Sequence, residues 1–199
     1  MPVFTYIIAD LSNLSNFYLT AKNACLSPHK VGLQYMAKTK VLFVCLGNIC
    51  RSPLAEAIFK AKISSKGWDH LVEADSCGTA NYHVGDRPDH RTLTNAQKNG
   101  IIIEHLGKQL SAQHLEEYDF ILAMDKSNFQ NILRLSGTNN HAKKVLLMRS
   151  FDPERDDDTV PDPYYGTERD FQNVFEILDR SVDLFVQHLE KNHIRTLKA

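Results

Sequence analysis

The sequence predicts an α/β fold in which a parallel sheet is covered by helices on both faces. Short apolar runs alternate in regular order with longer stretches at helical spacing, as strand–helix–strand crossovers require. The first such run, Lys40 to Cys45, reads as a strand buried on both sides. At 199 residues and 43% hydrophobic content the chain can bury one substantial core, so a single domain is expected.

Each element has its own signal. After the strand Lys40 to Cys45, residues Pro53 to Lys66 place Leu54, Ala57, Ile58 and Ala61 at helical spacing, with proline in the first turn. Leu71 to Ser76 is a second strand, and Arg91 to Asn99 a helix stopped by Gly100. Ser111 caps a short helix ahead of the strand Phe120 to Met124. A helix over Lys126 to Leu135, a strand over Lys144 to Met148 and a long amphipathic helix from about Glu168 to Asn192 follow. No internal repeat interrupts the series.

The first 35 residues stand apart. Their opening apolar run is broken by Asp10, too soon for a membrane span, and no positively charged start or small-residue cleavage site marks a signal peptide. Leu11 to Tyr35 has no clean period and contains Pro28. Residues 1–35 therefore read as an N-terminal extension, either poorly ordered or a misassigned start upstream of Met36, with residues 36–199 as the functional domain. Lysine plus arginine (23) balances aspartate plus glutamate (24), so nothing argues for nucleic acid or a membrane surface as partner. The four cysteines are too sparse for a disulfide scaffold, and no histidine or further cysteine pair completes a metal pattern. Reduced thiols in a cytosolic setting are expected, with no metal or other cofactor.

The stretch "VLFVCLGNICRSP", residues 41–53, then carries the chemistry. In a parallel sheet, ligands gather at the carboxyl ends of strands beside the next helix. Cys45 ends the strand, Leu46, Gly47, Asn48, Ile49 and Cys50 turn through a compact loop, and Arg51, Ser52 and Pro53 lead into the helix. Such a loop turns amides inward toward one anion, and the helix dipole adds to the attraction. The helix terminus and Arg51 favour an ionised, nucleophilic Cys45, while the planar guanidinium matches two phosphate oxygens. Ser52 is placed to donate to the sulfur. Cys50, on the same loop, is placed to capture an oxidised Cys45 as a disulfide; the plainer alternative is that it fills space.

A cysteine and an arginine at this spacing arise often by accident; the strand before and the Ser-Pro helix after make the signal specific. "VLFVCLGNICRSPLAEAIF" strongly resembles the low-molecular-weight protein tyrosine phosphatases, and the resemblance runs from residue 36 to about 190 through "SCGTANYHVGDRPDHR", "ILAMDKSN" and "PDPYYG". It implies a flavodoxin-like, doubly wound sheet of four parallel strands and a metal-independent hydrolysis through a cysteinyl phosphate. Phosphotyrosine-containing proteins or small aryl phosphates are the implied substrates, handled by a monomer or weakly self-associating protein.

Expelling a phenolate needs a positioned acid, and the candidates lie in "FDPERDDDTVPDPYYG". Asp156, Asp157 and Asp158 read as a solvated run. Asp162 is fixed between Pro161 and Pro163, and by resemblance is the general acid and later the base. The resemblance also makes Leu46, Tyr82 and Tyr164 the apolar walls around the phenyl ring, with His83 at the rim; Tyr165 could instead pack the loop against the body. Asn48, Ser76 and His105 match positions that brace the loop, with Asp125 near His105.

Four rival readings are weaker. A haloacid-dehalogenase aspartate in "DDDTV" lacks the hydrophobic strand it needs, and a thioredoxin-coupled arsenate reductase needs resolving cysteines where none follows Cys77. Arginine phosphatases on this scaffold typically carry threonine where this chain has Ile49, and lack the paired tyrosines. A non-catalytic phosphotyrosine-binding module would need Arg51 but not both Cys45 and Asp162.

Overall fold

The computed structural model describes residues 38–137 and 139–194. The expectation for residues 1–35 lies outside them, as does Cys25. β1 (Thr39–Cys45) is followed by α1 (Arg51–Ser65), β2 (Val72–Gly78), α2 (His90–Lys98), α3 (Ala112–Glu117), β3 (Phe120–Ala123), α4 (Lys126–Ser136), β4 (Val145–Leu147) and α5 (Glu168–Leu189). All three strand pairings are parallel and the sheet order is β2-β1-β3-β4.

The central position of β1 explains its composition. Val41 to Val44 are fully buried. Because side chains alternate across the sheet, Val41 and Phe43 join α1 and α5 in one core, with Phe59, Leu178 and Phe185, whereas Leu42 and Val44 meet Leu115 of α3 and Ile132 of α4 in the other. Helices thus cover both faces, as expected.

Differences from the sequence reading are confined to ends. β2 extends two residues past Ser76 to Gly78, whose N–H donates to Lys108 O and whose carbonyl accepts from Leu110 N. That pairing partner is distant in sequence and leaves no local signal. α1 starts at Arg51, before the proline that marks its first turn. The stretch expected to continue α5 to Asn192 leaves the α geometry after Leu189 in a π-helical turn, Glu190–Ile194. Short 3₁₀ turns, Asn139–Lys144 and Met148–Phe151, flank β4.

The chain passes from β1 to β2 on one side and then crosses over β1 to β3 on the other. The segments after β1 and β3 therefore diverge to opposite faces and open a crevice at the carboxyl edge of the sheet, where such folds bind ligands.

Candidate active site

The crevice is lined first by the loop 45–51, between β1 and α1. Asn48 adopts φ 56°, in the left-handed region that asparagine tolerates better than most residues. This turn points the Asn48 N–H at Cys45 Sγ, 3.2 Å away. Ser52 Oγ lies 2.9 Å from the same sulfur. That hydroxyl accepts from Asn48 Nδ2 at 2.9 Å, and its own proton has the sulfur at 2.9 Å and, farther off, Cys77 O at 3.5 Å as acceptors. The other described cysteines are different: burial pushes the Cys50 thiol up to about 12 and the Cys77 thiol well above its ordinary value. Cys50 packs with Ile49 and Phe171 beneath the loop.

Arg51 is buried and divides its guanidinium between two carboxylates. Nη1 donates to Asp125 Oδ2 at 2.8 Å and to Val160 O at 3.2 Å, and Nη2 donates to Asp162 Oδ2 at 2.6 Å. Burial disfavours its charge, but the surrounding anions Cys45, Asp162 and Asp125 outweigh that and hold it above the ordinary range. Asp125, expected near His105, instead serves Arg51; its other oxygen accepts from Asn128 N and caps α4. The crossover therefore delivers the arginine's partner from β3.

His105 is held by a residue the sequence reading missed. Glu56, buried in α1, accepts from Ser76 Oγ at 2.7 Å, lies 3.1 Å from His105 Nδ1 and is met by Lys60 at 2.5 Å. Burial would raise its pKa, but the bonds from His105, Lys60 and Ser76 bring it below the usual carboxylate range. His105 Nε2 and Lys108 N both approach Asn48 Oδ1 at 2.8 Å, and Asn48 Nδ2 reaches Ser76 Oγ at 3.0 Å. Glu56 follows Ser52 by one turn, so the usable signal was an acid on the buried face of the helix leaving the loop. Glu56, Asp75 and His105 also converge within 4.8 Å, the spacing of a metal site. Lys60 and Lys108 already neutralise the two carboxylates, which makes the cluster a charge-balanced brace.

Above the sulfur opens a cavity of about 290 Å³, with Cys45, Arg51 and Asp162 in its lining and Leu46, Tyr82 and Tyr164 exposed around it. Asp162 Oδ1 accepts from Tyr164 N at 3.2 Å, tying this carboxylate to the segment that carries the exposed ring. Tyr165 is 97% exposed at the rim, so it does not pack the loop against the body. His83 lines the same cavity and lies 3.0 Å from Asp86. Arg91, not singled out from sequence, stacks over Tyr164 and Phe171 with 5.6 and 4.7 Å to the ring centroids. A larger cleft of about 790 Å³ between α1 and residues 100–105 contains none of Cys45, Arg51 or Asp162.

Most of the chain matches known sequences. The sequence profile of the low molecular weight phosphotyrosine protein phosphatases matches residues 40–195. The chain belongs to that family. A low molecular weight phosphotyrosine protein phosphatase of Saccharomyces cerevisiae is 42% identical over 144 residues, covering 70% of this chain and 88% of the yeast protein. Among solved structures, a protein tyrosine phosphatase of Entamoeba histolytica aligns with TM-score 0.75 and 34% identity over 77% of this chain and 98% of its own. A Drosophila arginine phosphatase aligns with TM-score 0.73 and 32% identity over 77% of this chain and 99% of its own. The family fold is thus shared by relatives named for two different phosphorylated residues, and the side chains around the cavity must separate them.

Proposed function

We propose that this chain hydrolyses phosphotyrosine and aryl phosphate monoesters through a cysteinyl phosphate on Cys45. The observation that carries the reading is the convergence of Cys45, Arg51 and Asp162 on one aromatic-walled cavity. The thiolate attacks phosphorus, forming the P–S bond as the P–O bond to the phenol breaks. Asp162 gives its proton to the leaving oxygen, then takes one from the water that cleaves the P–S bond and releases phosphate. Ser52 and the Asn48 N–H stabilise the sulfur whenever it carries charge.

Arg51 has a second task. A phosphoryl dianion competes with Asp162 for Nη2, and its arrival turns the Asp162 carboxyl toward the leaving oxygen while Asp125 keeps hold of Nη1. Leu46, Tyr82 and Tyr164 sandwich the ring, and Cys45, a residue only 2% exposed, lies too deep for a short phosphoserine. Ile49 on the loop and the paired Tyr164 and Tyr165 favour a phenyl phosphate ester over the P–N-linked phosphoguanidine of phosphoarginine, so phosphotyrosine is the substrate. Asn48, Ser76, His105 and Asp125 support the loop.

Free Cys45, Cys50 and Cys77 thiols support a reducing, cytosolic setting, and no described helix is long and apolar enough to cross a membrane. Cys50 shares the cavity lining with Cys45, which supports a redox role: a Cys45 sulfenic acid condenses with the Cys50 thiol to a disulfide, releasing water. After peroxide treatment, dithiothreitol is expected to restore the wild-type protein but not Cys50→Ser; equal recovery of both removes the role.

The catalytic reading is tested with chelator-treated protein. Cys45→Ser is expected to abolish phosphotyrosine turnover, and Asp162→Asn to lower kcat/KM for phenyl phosphate by about 100-fold or more, with a smaller loss on para-nitrophenyl phosphate. Unchanged phenyl phosphate turnover in Asp162→Asn contradicts the acid assignment. Faster release of phosphate from phosphoarginine than from phosphotyrosine peptides contradicts the substrate.

A further inference from the structure

Asp162 follows the buried Asp152 by ten positions, and an arginine outside the active site contacts that span. Arg149 lies in the 3₁₀ turn after β4 and is only 7% exposed. Its Nη1 donates to Thr159 O at 3.1 Å and also lies 3.1 Å from Asp156 Oδ1 and 3.5 Å from Asp157 Oδ1. Its Nε is buried without a hydrogen-bond partner, 3.5 Å from Asp152 Oδ2. Asp156 and Asp157, exposed as the composition suggested, are therefore drawn onto one buried cation, while Asp158 pairs with Arg155 at 3.2 Å. Val160, next along the chain, is fully buried; its N–H donates to Met124 O and its carbonyl accepts from Arg51. Only Pro161 then stands between this anchor and Asp162.

We infer that Arg149 is a positioning residue for the general acid: by gripping Thr159 O and the Asp156–Asp157 turn it fixes the distance at which Asp162 meets the leaving oxygen. The inference rests on the reading of Asp162 as the acid. A plain stabilising role fits less well. Asp152 is held independently by Arg180 of α5, through Nε at 2.7 Å and Nη2 at 3.0 Å, so the link between this segment and the body survives without Arg149. What Arg149 itself holds is Thr159 O and the Asp156–Asp157 turn, the part of the segment nearest Val160 being Thr159; Asp158 is held by Arg155. A buried guanidinium with an unmet Nε is a costly way to gain stability, but a direct way to select one loop geometry. Placement matters at this scale, since an error of about 1 Å at a reacting group can cost about 100-fold in rate.

Arg149→Met keeps much of the side-chain volume and removes the guanidinium. It is expected to lower kcat/KM for phenyl phosphate by about tenfold, a fraction of what a positioned acid contributes, and to affect para-nitrophenyl phosphate much less. Phosphate protection of Cys45 against iodoacetate should match wild type, because the anion cradle is untouched. In an Asp162→Asn background, Arg149→Met should add no further loss. Arg149→Lys, which restores a cation but reaches fewer acceptors, should recover part of the phenyl phosphate activity and serves as the deciding variant should the methionine form not fold. An equal loss on both substrates, no loss, or full additivity with Asp162→Asn overturns the inference. If Asp162→Asn itself shows no dependence on the leaving group, the acid assignment beneath it fails instead.

Discussion

Cys45, Cys50 and Cys77 have one side-chain chemistry and two settings. Cys50 and Cys77 sit among apolar groups that keep their thiols protonated, whereas Cys45 is approached by two donors at 2.9 and 3.2 Å. Much of that difference traces to Asn48, whose amide bonds Ser52, Ser76, His105 and the Lys108 backbone while its own backbone is left-handed. Two substitutions separate these contributions. Asn48→Gly keeps the backbone and strands buried partners, at about 1–3 kcal/mol for each group left unsatisfied. Asn48→Ala suffers the same loss plus about 1 kcal/mol of left-handed strain. The alanine variant is therefore expected to unfold at lower urea than the glycine variant, the reverse of the order in a helix. Both should lose phosphate protection of Cys45.

At the scale of elements, the strand ends do the positioning. β1 presents the nucleophile loop and β3 presents Asp125, while the segment after β4 curls back to deliver Asp162, pinned by the Val160 N–H to Met124 O. The loop carrying Tyr82 is held against residues 105–108 by two backbone bonds, Gly85 N to Gly107 O and Gly107 N to Asp86 O. No side chain fits at Gly107, where a Cβ would meet His83 O at 2.1 Å. α5 reaches the acid segment through Arg180 and Asp152. Burial alone would raise the pKa of Asp152, but the bonds from Arg180 and the Glu154 N–H, with the charge of Arg149, bring it below the usual range. A depressed carboxylate stabilises the fold above its unfolded value of about 3.9, and that contribution disappears as pH falls through the lower folded value. Asp152→Asn is accordingly expected to lose about 1.5–3 kcal/mol at pH 7 by urea denaturation, the scale of hydrogen bonds to a charged group. The gap to wild type should close below about pH 4. A gap that persists in acid contradicts the assignment.

For the molecule as a whole, the family match begins at residue 40, and every buried core residue of the described chain lies at Val41 or beyond. We propose residues 36–199 as the catalytic domain. A chain begun at Met36 is expected to keep the kcat/KM and urea midpoint of the full chain; a loss in either assigns residues 1–35 a part in the fold or the site. The sequence by itself determined what is local: strand and helix periods, the loop from Cys45 to Arg51, and an aspartate braced by prolines. These are legible because the residues that define each lie within a few positions of one another. Only the tertiary structure decided that Arg51 meets Asp125 and Asp162, 74 and 111 residues away, that Glu56 braces His105, and that Arg149 bonds Thr159 O. Those choices arise from the crossover that opens the crevice and from which charges burial forces together, and neither leaves a period or a spacing in the chain.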